Sequence, residues 1–177
     1  MKIIKYPSKN QWPDIVKRPH LDLSQLNATV KNVLDDVKAH GDEAVRHYEQ
    51  QFDHVSLDSL AVSEEEIEEA FRTISTELKA SLELAHHNIA AFHEAQRFEG
   101  KKIETAPGVD CWQKSVPIEK VGLYIPGGTA PLFSTVLMLA TPAKIAGCKE
   151  IVLCTPPNRE GKINPAILAA ARIAGVE

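Results

Sequence analysis

The sequence predicts an α/β protein in which a helical amino-terminal region precedes a short β-α-β-α unit. Three observations carry this reading. Apolar residues recur at helical spacing from Leu23 to Gln96. The apolar run Val121–Ile125 ends in Pro-Gly-Gly and leads into a long apolar helix pattern from Leu132 to about Ala146, then Gly147 and a second run, Ile151–Cys154. Strand, turn, helix and strand in that order predict a parallel pair with a crossover helix. Asn164 and Pro165 then open a last helix, and no third strand follows it. The unit is therefore Rossmann-like but incomplete, with a strand edge and a helix face that call for cover.

In chain order, residues 1–19 form an amino-terminal arm with a possible strand at Ile3-Ile4 and prolines at 7, 13 and 19. Trp12 is too apolar for a free tail and is expected to dock. Residues 20–118 form a helix-rich region with a β-hairpin. Leu26, Val30, Val33, Leu34 and Val37 make one apolar stripe, and Gly41 ends that helix. Asp42 is a candidate cap for the next, whose stripe is Val45, Tyr48 and Phe52. Ser63 and Glu66 spell a capping box ahead of Ile67, Ala70, Phe71 and Ile74. A fourth helix, about Glu77 to Gln96, carries Leu78, Leu82, Ala85, Ile89 and Phe92. Ala106-Pro107-Gly108 marks a hairpin turn between residues 103–105 and 109–113. Residues 119–177 form the first part of an α/β domain. Pro142 is expected to kink its long helix or restart it behind Thr141.

Composition narrows the class. Of 177 residues, 44% are hydrophobic and 25% charged, ordinary values for a globular protein. A formal net charge of −4 without a Lys/Arg cluster argues against a nucleic-acid surface. The longest apolar run, Val136–Ala140, is too short to span a bilayer. Three cysteines without zinc-finger spacing, and no signal-like start, suggest a reducing cytoplasm.

Candidate chemistry is sparse. The Gly127-Gly128 turn lies beyond the carboxyl end of a strand, where open α/β sheets bind ligands. It lacks both the Gly-Lys-Ser/Thr ending of a P-loop and the three spaced glycines of a dinucleotide fingerprint, so a turn alone is the competing reading. His86, His87 and His93 share one helix but not a ligand spacing, and read as solvated surface. Cys148 and Cys154, set among Ala-Gly and Val-Leu, read as small core residues, and Cys111 invites no special reading. Tyr124 and Pro126 flank Ile125 at the strand end. An exposed Tyr124 could contact a nucleotide; packing on the following helix is an equal alternative.

The unbroken stretch from Val121 to Cys148, then Glu150–Pro157, with Arg18-Pro19, Gly41–Ala44 and Phe52-Asp53 upstream, closely resembles histidinol dehydrogenase. The resemblance covers nearly the whole chain and implies that family's aldehyde-dehydrogenase-like fold. It implies an NAD-dependent enzyme that oxidises L-histidinol to L-histidine through the aldehyde, with zinc holding the substrate and a Glu–His pair as acid and base. It also implies a homodimer helped by the arm. Tyr124 matches the family tyrosine that contacts NAD, and Pro126 is its neighbour. The family's zinc ligands and Glu–His pair fall beyond residue 177, so no catalytic or metal residue is carried onto this chain. The expectation is an amino-terminal piece, inactive alone and without zinc. The alternative is a stand-alone, non-catalytic nucleotide- or partner-binding α/β module.

Overall fold

The computed structural model describes residues 3–18, 23–128 and 130–176. Among these the chain forms seven α-helices and four strands, an α/β protein as expected. By internal packing it divides into residues 1–45 and 46–177.

In the first unit Ile3 and Ile4 form no strand. The arm instead makes a single 3₁₀ turn, Lys9–Gln11, and a short helix α1, Trp12–Val16, with Pro13 in its first turn. The reason lies in Ser8 and Pro13: the first opens the turn and the second presets a helical φ. Trp12 stays half-exposed, and its indole N–H donates to the Pro7 carbonyl at 3.3 Å. The expected boundary at 19–20 lies outside the described residues. Helix α2 spans Ser24–His40. Its stripe is there, but Leu26, Val30 and Leu34 remain exposed and only Val33 and Val37 are partly covered. Periodicity identifies an apolar face; it does not supply what covers it. Gly41 ends α2 with its N–H on the Val37 carbonyl at 2.8 Å. Asp42 is not the cap of helix α3, Asp42–Tyr48, but part of its first turn, where its charge suits the positive end of the dipole.

The second unit begins within α3 and continues into a π-helical turn, Glu49–Asp53; the Tyr48 and Phe52 rings stack at 5.6 Å. Helix α4, Glu64–Thr73, starts at the expected capping box. The Ser63 hydroxyl accepts from the Glu66 amide, and the Glu66 carboxylate accepts from the Ser63 amide, both at 3.2 Å. Helix α5, Thr76–Glu94, is capped by Ser75 and buries Leu82, while Phe92 is left exposed. Strands β1, Ile103–Ala106, and β2, Val109–Cys111, pair antiparallel around Gly108, whose φ of +77° suits glycine alone.

Strand β3, Lys120–Tyr124, helix α6, Phe133–Ala146, strand β4, Glu150–Cys154, and helix α7, Pro165–Ile173, complete the chain. The strands are parallel and in register, from Lys120 opposite Glu150 to Tyr124 opposite Cys154. Asn164 caps α7 by accepting from the Ala166 amide at 2.9 Å, with Pro165 in the first turn, as the sequence indicates. Helix α6 runs unbroken through Pro142, so the expected restart is absent. Thr141 is buried within the helix, its hydroxyl unpaired, rather than set ahead of a new start. Packing of α6 against α5 and α7 holds the turn in place despite the missing N–H.

The core lies where α5, α6 and α7 meet the inner face of the β3–β4 sheet. Leu82, Ile125, Val136, Leu137 and Ala140 are buried there with Ala169 and Ala170, whose small side chains let α7 approach closely. Two ion pairs tie α4 to the last segment: Glu68 to Arg172 at 2.5 Å and Glu66 to Lys162 at 2.6 Å. The Phe71 ring sits between the Lys79 and Arg172 cations, 4.0 and 4.6 Å from its centroid.

Candidate functional site at the strand-end lip

Alternation along β3 and β4 decides which side chains the sheet presents. Val121, Leu123, Ile151 and Leu153 turn toward the helices, whereas Gly122, Tyr124, Val152 and Cys154 face outward. No described helix covers that outer face, and Val152 is 59% exposed. At its carboxyl end Tyr124 is 63% exposed. Pro126 is also exposed. Between them Ile125 is fully buried, and its amide donates to the Cys154 carbonyl at 2.9 Å, extending the ladder one residue past the strand. The lip is thus anchored at one residue and open at its two neighbours.

Cys154 does not join the core. It is exposed beside Tyr124, because residue 154 follows the outward parity of residues 150 and 152. Cys111 is exposed and Cys148 half-buried. The chain turns after Pro126 through Gly127 and Gly128. A side chain on Gly127 would strike the Pro156 ring, whereas one on Gly128 would meet no atom within 4 Å. Helix α6 then begins with no acidic residue in its first turn and no side-chain cap from Leu132, an electrostatic setting that favours an anion.

The histidines do not assemble with the lip. His86 and His93 are half-buried on α5, His87 is exposed, and the His93 Nδ1 lies 3.1 Å from the Gln96 side-chain oxygen. Among the described residues no three His, Cys, Asp or Glu side chains converge to hold a metal ion. No described helix is long and apolar enough to cross a membrane. A groove of about 520 Å³ lies elsewhere, along the hairpin between Phe98, Ile103 and Trp112. Glu99, Lys101, Thr105, Cys111 and Gln113 line it as well. Sequence reasoning missed the Pro156 contact and the pairing of Cys154 with Tyr124. Both would have followed from aligning the two strand ends, since each strand is followed at once by a proline-containing loop.

A family model described as histidinol dehydrogenase matches residues 16–177. A histidinol dehydrogenase of Bacteroides fragilis is 64% identical over 176 residues, covering 99% of this chain and 41% of that protein. The Escherichia coli histidinol dehydrogenase is 50% identical over 168 residues, covering 94% of this chain and 38% of that one. The crystal structure of histidinol dehydrogenase from Elizabethkingia anophelis superposes with a TM-score of 0.91 at 45% identity, covering 96% of this chain and 39% of that chain. The chain spans about two-fifths of the length of the curated relatives it matches.

Proposed function

The chain belongs to the histidinol dehydrogenase family, and on that footing we propose that it is the amino-terminal part of an enzyme oxidising L-histidinol to L-histidine with NAD. The unit from β3 to α7 is read as the start of the Rossmann-like cofactor domain, in an aldehyde-dehydrogenase-like arrangement. The exposed Tyr124 at the end of β3 carries this reading. Its ring and hydroxyl offer a nucleotide a flat apolar surface and a hydrogen-bonding group, with Pro126 extending the surface. When bound, NAD supplies the hydride acceptor. The residues of this chain bind and orient it, and they move no proton.

Acid–base chemistry and the zinc ion that family membership implies are assigned to residues outside this chain. The 177-residue chain alone is expected to form no NADH from histidinol, with or without zinc. Chelator-sensitive turnover by the isolated chain would overturn that assignment. The family also implies a homodimer, and the exposed apolar side chains of Trp12, Leu26, Val30 and Leu34 support one. Light scattering is expected to give a dimer, whereas a monomer at all concentrations with a freely cleaved arm would count against it. Three free cysteines suit a reducing cytoplasm.

The test of the cofactor reading is Tyr124→Ala in the full-length enzyme. The KM for NAD is expected to rise about tenfold while that for histidinol changes less than about twofold, the pattern of lost cofactor binding. Unchanged NAD kinetics would make Tyr124 a bystander.

A further inference from the structure

Gly127 and Gly128 are adjacent, but only the first needs to be small for reasons within the chain. Neither has a left-handed φ, so backbone conformation excludes a side chain at neither position. Space does at one of them. A Cβ on Gly127 would lie 2.7 Å from Cγ of Pro156, closer than such atoms approach, and 3.7 and 3.8 Å from that ring's Cβ and Cδ. The ring is tied back to its own backbone nitrogen, so its Cγ can shift only by puckering and cannot swing aside as the tip of a long side chain would. The end of β4 and the loop after it therefore prop the turn after β3 at two places: the Cys154 carbonyl takes the Ile125 amide, and the Pro156 ring fills the space over Gly127. Tyr124 and Pro126 interleave with these two anchors.

We propose that Gly127 and Pro156 are positioning residues: their contact sets the height and angle of the Tyr124–Pro126 lip and thereby tunes its affinity for the dinucleotide. This rests on the cofactor reading of Tyr124. Neither residue touches the reacting atoms. A methyl at Gly127 must push the two loops apart, and the displacement falls on the residues immediately before it. Removing the ring from residue 156 should relieve the clash, because Pro156→Ala deletes Cγ and Cδ and leaves only the Cβ at an ordinary distance.

The experiment uses the full-length enzyme and reads NADH binding from the fluorescence of the bound nucleotide, alongside thermal unfolding and steady-state kinetics. Gly127→Ala is expected to weaken NADH binding about fivefold or more, with the KM for histidinol within about twofold of wild type. The double variant Gly127→Ala, Pro156→Ala is expected to recover binding to within about twofold, the coupling expected of residues in contact. Unchanged NADH binding in the single variant would overturn the proposal. So would a double variant that recovers its unfolding temperature but not its binding. If the single variant fails to fold, the double variant still decides: folding with near-wild-type binding supports the contact, and failure to fold or to bind overturns it. Tyr124→Ala separates the two levels. Unchanged binding there removes the cofactor reading and this inference with it; weakened binding there with normal binding in Gly127→Ala removes this inference alone.

Discussion

Deleting the Ser63 hydroxyl breaks one half of a reciprocal pair and strands the Glu66 amide at the start of α4. Ser63→Ala is expected to cost about 1 kcal/mol in urea unfolding of the chain. A change below about 0.3 kcal/mol would mean that water replaces the cap as well as serine makes it. Leu137 is the harsher case: it is 1% exposed at the junction of α5, α6 and α7, and Leu137→Ala should cost about 3 kcal/mol, cavity included. A denaturant midpoint close to wild type would show that the core closes over the gap. At this scale the sequence is readable wherever one residue type has one physical use. Ser63 with Glu66 and Asn164 with Pro165 are of that kind. Cys154 misleads because its neighbours Val152 and Leu153 are apolar. Apolar neighbours do not imply burial in a sheet with one covered face, where parity decides, and parity puts residue 154 outside.

Helix α4 packs against α7 and is joined to the last segment by two ion pairs as well. The Lys162 ammonium beside Glu66, with a further hydrogen bond from the Ser63 backbone, holds that carboxyl below its ordinary value of 4.5. The Arg172 guanidinium does the same for Glu68. Both carboxylates therefore add stability above the ordinary value, and that stability drains away as pH falls through the lowered one. Glu49 runs the other way. Burial first, and the neighbouring Asp53 charge second, push its carboxyl upward, so its contribution is present at acid pH and lost as pH rises. Glu49→Gln is accordingly expected to raise the unfolding temperature at neutral pH, by up to about 1 kcal/mol in stability, and to change little near pH 4. A loss of stability at neutral pH would show that the charge is satisfied. Glu68→Gln should have its effect at neutral pH and almost none at acid pH; the effect is small because the pair is exposed to water. The helices and the hairpin are legible from stripes, caps and turn glycines. The π-helical turn at Glu49–Asp53 is not, because Tyr48 and Phe52 at four-residue spacing read as ordinary helix. The exposure of Leu26 and Leu34 is not legible either, since a stripe shows which face is apolar and not what lies against it.

Along the sequence, we propose an arm, a helix-rich region to residue 118 and an α/β segment from 119, although α4 and α5 pack with the α/β segment in one unit from residue 46. The stretch 112–118 has no regular structure, and Trp112, Val116 and Ile118 are exposed there. Limited trypsin digestion is expected to cut at Lys114 before any site between 120 and 172, leaving the α/β segment as a discrete band. Early cleavage within α6 would argue against that boundary. The one-sided sheet has a practical corollary as well. Tyr124 and Cys154 stand opposite each other on its bare face, about 4.8 Å apart along the ladder direction. With Cys111 replaced by serine, a small maleimide dye would go to the one remaining exposed thiol, at position 154. The label would sit beside the tyrosine without altering it, turning the arrival of a nucleotide into a change of colour or brightness that needs no substrate and no turnover.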